Sequence, residues 1–238
     1  MPTNLPPVRA THQFTAPAGS WGYDTWGNNG RPVVLIPAVL FDRTSWWPTA
    51  ADLRPDATMI AVDLPGHGTS SRRERYHPDD LVDELAELIA GLQLRRAPVV
   101  VGHGPSATLA TLFAARYATH AVVAVDPCPP AVLTSGLDAY LHTMGADAIP
   151  EQYRCIVAPA RDPDLLRGYA RALSDRRPAT TIAGVTPARL AVHSSTPDLP
   201  ATDPDVAQQW RHEIYDVTGR FAHLSATDRF ANHLRALL

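Results

Sequence analysis

Residues Pro98–Tyr117 read PVVVGHGPSATLATLFAARY. Val99–Val101 form a short β-branched run, a Gly-rich turn follows, and Ala107 onward has the spacing of an amphipathic helix. A strand, a tight turn and a helix in this order are the setting of a G-x-S-x-G elbow, whose strained turn holds a serine nucleophile clear of the sheet. Here the turn is Gly102-His103-Gly104-Pro105-Ser106. The nucleophile position is Gly104, which has no side chain.

Working outward, Pro32-VVLIP, Thr58-MIAVDLP and Ala121-VVAVD are short apolar runs bounded by turn residues, as buried strands are. Residues 11–29 alternate enough for one or two edge strands. Ser45-WWPTAADL predicts a short helix. His77-PDDLVDELAELIAGL predicts an amphipathic helix, with proline near its start, acids in the first turn, and Leu81, Leu85, Leu88, Ile89 and Leu92 on one face. Strands alternating with helices predict an α/β fold with a mostly parallel sheet covered on both faces. From Pro129 to about Pro187 the pattern weakens into short helical pieces, Gly136-LDAYLHTM and Pro163-DLLRGYARAL. Sheet logic resumes at Arg189-LAVHSS, then a helix at Pro204-DVAQQW, a last strand at His212-EIYDVTG and a terminal helix at Ala226–Leu238. In that helix Phe230, Leu234 and Leu237 face inward. The expected organisation is a core of residues 1–128 and 188–238 with a small helical cap, 129–187, over the carboxyl edge of the sheet.

The 238 residues allow one sizeable core, and 45% hydrophobic residues are ordinary for a globular protein. A net charge of -3 gives no reason to expect a nucleic-acid partner. Two cysteines, Cys128 and Cys155, are too few for a disulfide framework. The opening MPTNLPPVRATHQF shows no charged segment followed by an apolar run, and no stretch approaches the ~20 apolar residues of a membrane span. The expectation is a cytoplasmic protein with no membrane partner. There is no H-E-x-x-H, C-x-x-C, G-x-G-x-x-G or Walker loop, so neither metal nor cofactor is implied. Oligomeric state is not legible.

Five stretches in order resemble the α/β-hydrolase fold over nearly the whole chain. They are VVLIPAVLFDRTSWW, DLPGHGTS at Asp63–Ser70, VVVGHG at Val99–Gly104, VVAVDP at Val122–Pro127 and GRFAHL at Gly219–Leu224. The resemblance implies a Ser-His-Asp hydrolase, and the departures bear on each of its parts. Gly104 replaces the serine. The family's oxyanion hole uses the backbone N–H after the nucleophile, and Pro105 has none. A second donor comes from the loop after the early strand, here Pro37-Ala38, which leaves the Val39 N–H. The general-base histidine falls at Arg220, which stays protonated and accepts no proton, although it can hold an anion bidentately. The acid falls near Asp198, with strict spacing landing on Pro197, and an Asp198–Arg220 pair is the candidate replacement for Asp–His.

Other polar residues near the implied site are His103, His223 and Asp126. His103 and His223 occupy positions where ordinary family members often have histidine, which favours a structural role for His223. Asp126 ends a strand at the carboxyl edge, where open α/β sheets bind ligands. Its plain reading is the acid of a VDP turn. Gly104, Pro105, Ala38, Val39, Trp46 and Cys128 are the candidate substrate contacts. His67 reads as structural, and Ser106 as a first-turn residue pointing away from the attack site.

Loss of serine, elbow N–H and histidine acts three times against the same reaction. The favoured reading is therefore a non-hydrolytic enzyme on an apolar small molecule, of a secondary-metabolic type. It would catalyse cyclisation, isomerisation or elimination through pocket shape and Asp198, Arg220, His103, Asp126 or His223. The alternatives are a catalytically dead ligand-binding protein, and a hydrolase whose nucleophile has moved to Cys128 or Ser106 or is a water activated at His103.

Overall fold

The computed structural model describes residues 9–173, 187–196 and 210–238. Eight strands form one sheet: β1 (Ala10–Ala16), β2 (Gly19–Trp26), β3 (Arg31–Ile36), β4 (Ala57–Val62), β5 (Val99–His103), β6 (Ala121–Val125), β7 (Ala188–His193) and β8 (Arg211–Ile214). Their spatial order is β1-β2-β4-β3-β5-β6-β7-β8. The β1–β2 and β2–β4 pairs are antiparallel, and every later pair is parallel. The central strands β5 and β6 are buried at every residue, which suits a parallel sheet covered on both faces.

Helices cover the two faces. On one, α1 (Trp47–Leu53) and the terminal α6 (Thr227–Arg235) lie over Val33, Leu35, Val101 and Val123. On the other, α2 (Pro78–Gly91) and α3 (Ala107–Arg116) cover Val34, Ile36, Val100 and Val122. Leu81, Leu85 and Leu88 are buried as the helical spacing requires, while Ile89 and Leu92 sit half-buried at the edge of the core. Between β6 and β7 run α4 (Leu137–Thr143), α5 (Pro163–Leu173) and short 3-10 turns. Tyr140, Met144, Leu165 and Tyr169 from this segment join the same apolar cluster as Ile36 and Val100. The segment is thus packed onto the core.

Three expected elements differ. The helix expected from Ser45 is a 3-10 turn, Arg43–Trp46, followed by α1, because Pro48 in the first turn starts a new helix there. The last strand ends at Ile214, because Asp216 takes a left-handed backbone angle, φ +54°, and turns the chain. The helix expected from Pro204 lies outside the described residues.

The chain leaves β3 on one side toward β4 and returns on the other as β5. The loops after β3 and β5 therefore meet at the switch point of the sheet, where a ligand crevice is expected.

Candidate functional site

The elbow is built as the sequence reads. His103 ends β5, Gly104 takes φ +57°, and a 3-10 turn, Gly104–Ser106, leads into α3. The left-handed angle costs glycine nothing, and Pro105 suits the first turn of a helix. Space above Gly104 is taken. A Cβ built there would stand 2.9 Å from Met144 Cε and 3.5 Å from Ala38 Cβ. Met144 is itself fully buried. Among the described residues, Met144 from the segment after β6 packs over Gly104 at the switch point.

The loop after β3 is tied down atom by atom. The Ala38 carbonyl accepts from the Phe41 N–H at 2.9 Å, and the Val39 carbonyl accepts from the Tyr140 hydroxyl at 2.9 Å. Leu40, strained at φ +68°, donates its N–H to His67 Nε2 at 2.8 Å, and its carbonyl accepts from the Ala160 N–H at 2.7 Å. His67 therefore carries its proton on Nδ1, which faces the Leu64 and Pro65 carbonyls, both at 3.2 Å. Burial lowers its pKa to about 4, so it stays a neutral acceptor.

The candidate polar residues are mostly spent on structure. His103 Nε2 donates to the Arg220 carbonyl at 2.6 Å, and burial lowers its pKa to about 4. His223 lies in a closed aromatic layer, 4.2 Å from the Trp46 ring and 4.8 Å from the His103 ring by centroids. Burial drives its pKa well below the usual imidazole value, with the nearby His103 adding to the drop. Trp46 also faces Phe230 and belongs to the apolar layer between the sheet and α6. Trp46 and His223 are both fully buried in this layer.

Asp126 sits at φ +44° beyond β6. Its Oδ1 accepts from the Ser194 N–H at 2.6 Å and its Oδ2 from the Ala222 N–H at 2.9 Å, while its own N–H donates to the Val192 carbonyl at 2.7 Å. It bolts three chain segments together, which holds a strained backbone angle in place. Burial raises its pKa to about 6, against the pull of the two amides and the Arg220 charge. Arg220 is half-buried and electrostatically coupled to Asp126. Gly219 beside it is pressed by the segment after α4: a Cβ on Gly145 would come within 2.7 Å of Gly219 Cα. Asp198 lies outside the described residues. Cys128 and Ser106 are buried, and Ser106 Oγ has no hydrogen-bond partner among the described residues.

A family model described as the alpha/beta hydrolase family matches residues 33–237. The chain belongs to that family. The serine hydrolase-like protein of Danio rerio is 32% identical over 117 residues, covering 46% of this chain and 35% of that protein. Two further curated relatives are matched over 39% and 21% of their lengths. The structure of E-2-(acetamidomethylene)succinate hydrolase superposes with TM-score 0.78 at 18% identity, over 96% of this chain and 98% of that chain. A structure described for recognition and ring-cleavage of the Pseudomonas quinolone signal, in complex with its substrate, gives TM-score 0.80 at 15% identity, again over 96% and 98%. These two likenesses are likenesses of fold. Among the described residues of this hydrolase-family chain, no helix is long and apolar enough to cross a membrane.

Sequence reasoning missed the residues that close the elbow. Tyr140 and Met144 stand four apart in the helix expected from Gly136, so they share a face, and that spacing was the available signal. It also missed Arg43. This arginine pairs with Asp24, Nε to Oδ2 at 3.0 Å, and through its Nη1 with Asp63, and both carboxylates are fully buried.

The buried histidines make stability depend on pH. His67 and His103 bind protons near pH 6.5 when unfolded but only near pH 4 when folded. Lowering the pH through that window favours the unfolded chain, by up to about 3 kcal/mol for each ring. Asp126 acts oppositely: it takes its proton near pH 6 when folded and near 3.8 when unfolded, returning about 3 kcal/mol over that span. For these three groups the balance is a net loss of about 3 kcal/mol between pH 6.5 and 4, to which His223 adds and from which Asp63, its carboxyl also pushed up by burial, subtracts. Urea midpoints across that range should fall steadily. A midpoint that rises toward pH 4 would mean that the rings titrate normally and that Asp126 alone carries the dependence.

Proposed function

We propose that this chain is a non-hydrolytic alpha/beta hydrolase-family protein that binds an apolar small molecule without turning over an ester. The carrying observation is Met144, whose methyl carbon would stand 2.9 Å from a Cβ built on Gly104, in the way of a nucleophile's side chain. The rest supports it. Pro105 offers no N–H to an oxyanion, Arg220 replaces the base, and His103, His223 and Asp126 are committed to buried structural contacts. Removing a single oxyanion donor already costs ~10²–10³ in rate where it has been measured.

Gly104→Ser tests this reading. The variant is expected to fold, at a cost of about 1–2 kcal/mol for a non-glycine residue in the left-handed region. Met144, a flexible side chain, shifts to admit the new Cβ. Hydrolysis of a p-nitrophenyl ester should stay at the wild-type background. Hydrolysis well above background in this single variant would show that a base and an oxyanion hole survive.

A second reading, a non-hydrolytic enzyme, is favoured by one pair. Asp126 has a pKa near neutrality and lies under the charge of half-buried Arg220, so the two can hold and stabilise a mobile proton. It predicts that Arg220→Met abolishes conversion of a ligand whose binding it leaves intact. The binding reading predicts that no ligand is consumed by either protein.

A further inference from the structure

With Met144 packed over Gly104, the elbow leaves open where a ligand sits. A groove of about 410 Å³ lies between α5 and the turn leading into α4, within the size range of small-molecule sites. No elbow residue lines it. Its apolar wall is Leu133, Leu137, Leu166 and Ala170, and its rim carries Arg167 and Arg171. The α5 sequence explains this layout. Leu166 and Ala170 stand one turn apart on the buried face, and Arg167 and Arg171 one turn apart on the exposed row beside them. Two guanidinium groups thus border one edge of an apolar trough. Arg167 is engaged by Asp164. Arg171 has no carboxylate within ion-pair distance among the described residues.

We propose that this groove binds a small anionic amphiphile, with the acyl chain or ring in the trough and its carboxylate on Arg167 and Arg171. The inference rests on the binding role proposed above and names its ligand class and place. An apolar wall fixes the chain but gives no preference for charge. The paired arginines supply that preference, because guanidinium and carboxylate form charge-assisted, often bidentate hydrogen bonds. An uncharged amphiphile of equal length keeps only the apolar part. A cationic one meets repulsion.

Octanoate, octanol and octylammonium, titrated calorimetrically into the full chain, test the proposal. Octanoate should bind, octanol about tenfold or more weaker, and octylammonium weaker still. Arg167→Gln with Arg171→Gln should remove the preference for octanoate over octanol while leaving thermal stability close to wild type, since both side chains are exposed. Leu137→Trp, at a half-buried wall position, should fill the groove and abolish binding. Equal binding of octanoate and octanol, an unaltered preference in the double-glutamine variant, or no octanoate binding would overturn the proposal. Binding kept in Leu137→Trp would move the ligand out of this groove. Ester turnover, assayed on the same samples, reports separately on the proposed lack of hydrolysis.

Discussion

Arg43→Ala is expected to destabilise the protein by about 3–5 kcal/mol, the cost of breaking a buried ion pair from one side. Asp24 and Asp63 are fully buried, and Arg43 stands between them. Asp24 also accepts from Thr11 Oγ1 at 2.7 Å and from Trp47 Nε1 at 2.9 Å, and Asp63 from the Arg43 and Thr69 N–H groups at 2.9 and 2.8 Å. Those bonds orient the carboxylates but do not neutralise two charges. The cluster joins β2, the end of β4 and the loop after β3, so its loss loosens the frame that holds Ala38–Leu40. The signature is a pH dependence. Burial already pushes the Asp63 carboxyl upward, and without Arg43 it should protonate more readily. The gap between wild type and Arg43→Ala, read from urea midpoints, should therefore narrow from pH 7 to pH 5. A loss under about 1 kcal/mol at pH 7 would mean that the pair is as weak as an exposed one.

Met144→Ala carries the second large effect. Truncating a fully buried methionine costs about 2–5 kcal/mol, depending on how far the site collapses. Here collapse is limited. Tyr140 is pinned to the Val39 carbonyl, Leu40 to His67, and Gly104 lies on the end of the central strand. A dry apolar cavity should form over the elbow, and such cavities take up small aromatic molecules. Benzene or indole should raise the variant's melting temperature and leave the wild type unmoved. Stabilisation of both proteins alike would show that the wild-type elbow is already open.

These effects mark the boundary of what the sequence carried. The sheet, the elbow and the family were legible because each rests on local pattern: β-branched runs, Gly at the strained turn, and the GHG loop around His67. The empty nucleophile position was legible for the same reason, since Gly104, Pro105 and Arg220 fall at fixed places in short motifs. The filling of the elbow was not. Met144 lies forty residues beyond Gly104 in the chain, and only the packing of the segment after β6 brings them together. Asp24, Arg43 and Asp63 come from three separate elements, and only the strand order β2-β4-β3 joins them. Trp46 was expected as a pocket contact because it follows the loop after β3. Its side chain direction depends on the 3-10 turn, which composition does not announce.

The most direct test of an elbow that is both empty and filled from above is the intact mass of the wild-type protein after incubation with a fluorophosphonate, with a thiol-alkylating control for Cys128 and Cys155. The structure predicts a folded protein with no phosphonyl adduct, because Gly104 offers no nucleophile and Ser106 is buried beneath the turn. A stoichiometric adduct on Ser106 or any other serine would contradict it and restore a hydrolase with a displaced nucleophile.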